Sequence, residues 1–91
     1  MFNNYISIAR GFLAEKNNMK ALKFLKKAYE CEEGKEDVEL ILDIALLYDK
    51  LGNPVLSKKM YKEVLNIDEN EARAYYGIGV LYVESENFIE A

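Results

Sequence analysis

Histidine, threonine, glutamine and tryptophan are absent from this 91-residue chain, and cysteine and proline occur once each. Without an imidazole, neither the three serines nor Cys31 can be matched with the base that activates a nucleophile, so the usual nucleophile-base pairs cannot be assembled and no catalysis is expected. A lone thiol makes no internal disulfide, and a small fold without staples fits a reducing compartment, so the expected location is cytoplasmic. Long apolar runs are missing too. The longest, Ala74 to Val83, is about half of the ~20 residues that a membrane-spanning helix requires. Met1 to Lys16 carries Asn3, Asn4, Arg10 and Glu15 among its apolar residues and offers no signal-peptide core. No metal-ligand or phosphate-loop spacing occurs, so neither metal nor cofactor is expected. Positive charge is in deficit: the net charge of −4 repels phosphate backbones and counts against nucleic acid as a partner.

What is present is 51% apolar and 31% charged residues, the makeup of one small folded unit. At this length a chain buries only about 60 to 65% of its unfolded surface, so anything that extends the core matters. The sequence also repeats itself. Ile44-Ala45-Leu46-Leu47-Tyr48 and Ile78-Gly79-Val80-Leu81-Tyr82 correspond residue for residue at a spacing of 34, and Ile8-Ala9-Arg10-Gly11-Phe12 precedes the middle copy by 36. Asn17, Asn53 and Asn87 keep step with the aromatic that ends each copy. A period of this size belongs to stacked helical hairpins.

The boundaries come from local chemistry. Gly52 suits the left-handed position past a helix end, Asn53 caps the next helix, and Pro54 fits its first turn. Upstream, Leu40, Ile41, Ile44, Ala45, Leu47 and Tyr48 recur at three- and four-residue steps; downstream, Val55, Met60, Tyr61, Val64, Leu65 and Ile67 do the same. This predicts helices at 38–51 and 54–67. The first unit matches with helices near 3–15 and 19–32, capped between by Asn17 or Asn18. Gly34 breaks the chain within the loop that lengthens the first period, and Asp37 caps the helix at 38–51. The third unit supplies a helix at 71–85, a cap at Asn87, and Phe88 to Ala91 as the opening of another helix.

These residues resemble the tetratricopeptide repeat, whose pattern is an aromatic, Leu-Gly, Tyr, Ala, Phe and a later Pro. The middle copy sets Ile41, Ile44-Ala45, Tyr48, Ser57 and Tyr61 on those places, and departs at Val64 and at Glu69, where proline is usual. The first copy offers Tyr5, Ile8-Ala9, Phe12, Ala21, Leu25 and Ala28, with Glu33 in the proline place. The third offers Tyr75, Ile78-Gly79, Tyr82 and Ala91. The resemblance implies an all-α, right-handed superhelical array of antiparallel helix-turn-helix hairpins with about five helices. Its units are 2–37, 38–71 and an incomplete 72–91. Ala9, Ala45 and Gly79 are small where helices approach closely, and each hairpin relies on its neighbour to bury one apolar side.

In this family the first helix of each hairpin lines a concave groove, which nominates Asn3, Ile6, Arg10 and Leu13, then Glu39, Leu42, Leu46 and Asp49, then Arg73, Tyr76, Val80 and Val83. An apolar stripe flanked by Arg10, Glu39, Asp49 and Arg73 resembles a groove for an amphipathic helix or an extended peptide. The plainer alternative makes these apolar residues under-occupied core positions in a short array. One family mode grips the terminal carboxylates of chaperone tails with Lys and Asn side chains. The matching places here carry Ile6, Arg10, Asp43, Arg73 and Gly77; Asp43 would repel a carboxylate, so that ligand class is not expected.

The second helices carry Lys20, Lys23, Lys26 and Lys27, then Lys58, Lys59 and Lys62, on what should be the convex side. A solvated outer face accounts for them; an acidic partner or RNA is the alternative, separable by its salt dependence. Tyr5, Tyr48, Tyr75 and Tyr82 occupy packing places, and Cys31 is expected to be a buried apolar residue.

The helix at 71–85 is apolar almost all round, whereas arrays of this kind close with a polar outer helix. Either the array continues past Ala91, or two copies pair through 72–91 to form a homo-oligomer, with Tyr75, Ile78, Leu81, Tyr82 and Phe88 at the contact. The expected function is a non-catalytic scaffold for protein–protein interaction, with structural self-assembly as the rival.

Overall fold

The computed structural model describes the backbone of residues 1–90 and the side chains of residues 1–85. It contains five α-helices: α1 (Phe2–Ala14), α2 (Asn18–Glu30), α3 (Val38–Lys50), α4 (Pro54–Ile67) and α5 (Ala72–Glu90), with a 3-10 turn at Glu32–Gly34 and no strand among the described residues. Each helix packs on the next, and α3 also touches α5. The extents of 44 × 30 × 16 Å belong to a row of hairpins rather than helices gathered round one centre. The all-helical array expected from the repeat is what the chain forms.

Side-chain caps set the helix starts. Asn17 Oδ1 accepts from the Lys20 amide at 3.2 Å, Asp37 Oδ1 from Leu40 at 3.1 Å, and Asn53 Oδ1 from Leu56 at 3.2 Å. The two hairpin turns are copies of one another. The Asn17 amide donates to the Phe12 carbonyl and the Asn53 amide to the Tyr48 carbonyl, both at 2.8 Å, closing the end of the helix before. That closure needs a left-handed residue just before each asparagine. Gly52 supplies it at φ 82°, and Lys16 does so at φ 60° despite its Cβ. At Gly34 the reason for glycine is close approach, because a Cβ there would collide with the Ala28 carbonyl oxygen.

Ala9, Ala21, Ala28 and Ala45 are fully buried, whereas Gly79, expected at a close approach, is exposed and a Cβ there would meet nothing within 4 Å, because no further helix covers that face of α5 among the described residues. Ser57 stands where the first unit has Ala21, and its buried hydroxyl donates to the Ala45 carbonyl at 2.7 Å, so the polar atom is satisfied. Phe12 and Phe24 stack at 5.8 Å between α1 and α2. Tyr29 on α2 donates its hydroxyl to the Glu63 carboxylate on α4, tying the second helices of adjacent hairpins.

The structure corrects the expected third unit. The chain does not break at Asn87: α5 runs as one helix from Ala72 to Glu90. The side chains of Asn87 and Phe88, and the whole of Ala91, lie outside the described residues. Leu81, expected at a self-association contact, is instead buried in the core that α5 shares with α4. Tyr75 and Tyr82, expected to pack, are each 56% exposed. Cys31 is half-buried just past the end of α2, where its thiol donates to the Lys27 carbonyl at 3.6 Å.

Candidate functional site

Helices α1, α3 and α5 lie on one side of the row, and two adjoining hollows run across them. The first, of about 330 Å³, lies between α1 and α3 and is lined by Asn3, Ile6, Arg10 and Leu13 together with Asp37, Glu39 and Asp43. The second, of about 290 Å³, lies between α3 and α5 and is lined by Glu39, Leu42, Asp43, Leu46, Asp49, Arg73, Tyr76, Gly77 and Val80, with Tyr61 reaching in from α4. Glu39 and Asp43 border both, so the two hollows lie side by side across α3.

This geometry brings together eleven of the twelve nominated groove residues; Val83 borders neither hollow. Leu42 is nearly buried and forms floor, whereas Leu46 and Tyr76 are exposed on the surface of the groove. Tyr61, whose repeat position marks only a packing residue, also enters the wall. It does so because Gly77 has no side chain: a Cβ at Gly77 would run into the Tyr61 ring. That glycine opposite an aromatic of the preceding helix is the signal that could have found it.

Charges are distributed unevenly along the groove. Arg73 is engaged from two sides: its guanidinium meets Glu39 at 2.6 Å and Glu71 at 2.9 Å, and the two sets of hydrogen bonds, Glu71 first, hold it above its ordinary pKa. The Arg73 side chain, then its backbone amide, hold the Glu71 carboxyl below its usual range. Asp43 is pushed the other way. Partial burial, then the Glu39 carboxylate, raise its pKa; Arg10 and Arg73 oppose this, and Asp37 adds to it. Glu84, which borders neither hollow, is raised mainly by the neighbouring Asp49 carboxylate, and Tyr61 is raised by burial, then by Asp49 and Glu84.

The opposite side of the row is basic, and several of its lysines lie over aromatic rings. Lys20 is 5.6 Å from the centroid of Phe12, Lys26 is 6.0 Å from Tyr48 and Lys27 is 6.0 Å from Tyr5. Lys58 lies 4.5 Å from the Tyr82 centroid and donates to its hydroxyl at 2.7 Å, which lowers the pKa of that phenol. In each case it is the ammonium group that lies over the ring face, a cation–π arrangement.

No group of His, Cys, Asp and Glu among the described residues has the arrangement of a metal site. No helix among them is long and apolar enough to cross a membrane. Residues 38–71, the hairpin of α3 and α4, match the tetratricopeptide repeat family, in keeping with a tetratricopeptide-like repeat protein. Such repeats serve protein–protein interaction in general. No curated protein matches the chain.

Proposed function

We propose that the chain is a non-catalytic scaffold that docks a peptide or an amphipathic helix of another protein in the groove across α1, α3 and α5. The observation that carries this reading is a pair of adjacent hollows that share Glu39 and Asp43, with exposed Leu46 and Tyr76 on an otherwise charged border. An apolar stripe beside charged edges is the surface that a helix or strand of a partner fills, since it hides apolar area while leaving polar groups at the rim. The lack of histidine and of any nucleophile-base pair supports a role without chemistry. A lone thiol fits the cytoplasm, the compartment this reading assumes. Peptide display against the folded chain tests it. Selected peptides should lose binding on Leu46→Ser and on Tyr76→Ala and keep it on Lys59→Ser; peptides that respond only to Lys59→Ser would remove the groove as the docking face.

A second reading, self-assembly through α5, is favoured by one observation. Tyr75 and Tyr82 are each 56% exposed on the outer face of the last helix, with half-buried Ile78 between them. Sedimentation at rising concentration separates the readings: a monomer at high micromolar concentration, unchanged by Tyr75→Lys, excludes assembly through this face.

A further inference from the structure

We infer that the groove takes an amphipathic peptide whose polar edge is basic, with lysine or arginine set against Asp43 and Asp49. This rests on the docking reading above and adds the chemistry of the partner. The apolar part of the groove, Leu46, Tyr76 and Val80, sets no charge preference by itself. The border does. Four carboxylates, Asp37, Glu39, Asp43 and Asp49, face two guanidiniums, Arg10 and Arg73.

One of those cations is already engaged inside the protein. Arg73 is held by Glu39 at 2.6 Å and by Glu71 at 2.9 Å, so an incoming carboxylate would have to displace an ion pair to reach it. Among the described residues neither Asp43, Asp49 nor Glu84 has a cation within salt-bridge distance, and Asp49 and Glu84 stand close enough to raise the Glu84 pKa. Of this pair Asp49 borders the hollow, and a cation set against it there relieves the repulsion between the like charges. An acidic ligand would add to it. Charge of this kind selects among partners and speeds their encounter, while the apolar stripe supplies the contact area.

The test uses three labelled synthetic helical peptides that share one leucine stripe and differ only in their polar positions, filled with Lys, Gln or Glu, read by fluorescence anisotropy. The Lys peptide should bind most tightly and the Glu peptide most weakly. Asp43→Asn combined with Asp49→Asn should weaken the Lys peptide about 3- to 10-fold, the range for two exposed charge pairs, and leave the Gln peptide unchanged. Unchanged Gln-peptide binding also shows that the variant is folded. Glu32→Gln combined with Glu33→Gln removes the same charge from residues that border neither hollow and should leave the Lys peptide within about twofold, since exposed charges without a direct partner contribute little. Equal binding of all three peptides, each weakened by Leu46→Ser, overturns the charge preference and leaves groove docking standing. An equal loss in the loop variant and the groove variant overturns it as well, by making the attraction one of net charge. If Leu46→Ser and Tyr76→Ala change no peptide, the docking reading falls and the charge preference falls with it.

Discussion

Helices α3 and α5 carry matching residues at a spacing of 34, yet they live in different surroundings. Ile41, Ile44 and Ala45 on α3 are at most 1% exposed, whereas their counterparts Tyr75, Ile78 and Gly79 on α5 are exposed or half-buried. The difference lies in the neighbours. α3 packs against α2 on one side and α4 on the other, while α5 meets α4 and the edge of α3. Burial in a row of hairpins is therefore conferred by the adjacent element and cannot be read from residue type alone.

The widest split is expected where the two isoleucines are truncated. Ile44→Ala should cost about 3 kcal/mol, the usual cost of a cavity in a packed core. Ile78→Ala should cost about 1 kcal/mol, because less apolar area leaves contact. Urea unfolding measures both; equal losses would mean that α5 is covered in solution and that the contrast is false.

Two glycines sharpen the comparison within α5 itself. Gly77→Ala drives a methyl into the Tyr61 ring, so overpacking of about 2 kcal/mol should outweigh the gain in helix propensity. Gly79→Ala meets nothing within 4 Å and should stabilise by about 1 kcal/mol. At Ala45, the matching position on α3, no such room exists. Thermal melts of the pair should move in opposite directions, and a shared loss would place an unseen neighbour over Gly79.

The tie between the second helices should matter less. Tyr29→Phe removes the hydrogen bond to Glu63 and should cost about 1 kcal/mol, since the pair is partly exposed. The hydrogen bond, then burial, then the Glu63 charge raise the Tyr29 pKa from 10.0 to about 12. The folded state thus favours the protonated phenol, and this stabilisation is complete below pH 10 and is lost as pH rises towards about 12. Alkaline titration of stability should lose that step in Tyr29→Phe; an unchanged profile would contradict the tie.

The turn before α2 gives the smallest effect. Lys16 adopts at φ 60° the conformation that Gly52 adopts at φ 82° in the next hairpin. Lys16→Gly should therefore stabilise by somewhat under about 1 kcal/mol, the relief of a left-handed Cβ less the added freedom of the unfolded chain. A loss measured by urea unfolding would show that the lysine side chain contributes more than its backbone costs.

Much of this architecture is legible in the sequence because short-range chemistry sets it. Asn53-Pro54 starts α4 where the sequence places it, and Asp37 caps α3 as expected. The course of α5 is not legible in the same way, because Asn87 keeps the register of Asn17 and Asn53 although the helix runs on to Glu90, and a cap needs the preceding helix to stop. The groove stripe is legible because residues on one helix face share a periodicity. Its charge state is not. The engagement of Arg73 by both Glu39 and Glu71 and the entry of Tyr61 through the gap at Gly77 depend on how adjacent helices are set, which no single-helix pattern records.

Amide chemical-shift mapping of the isotope-labelled chain, titrated with a display-selected peptide, tests the central claim that the side formed by α1, α3 and α5 is the docking face. The largest shifts should fall at Leu46, Tyr76 and Val80, with little change at Lys23, Lys59 and Lys62. Shifts concentrated on those lysines, or on Tyr75 and Tyr82, would contradict it.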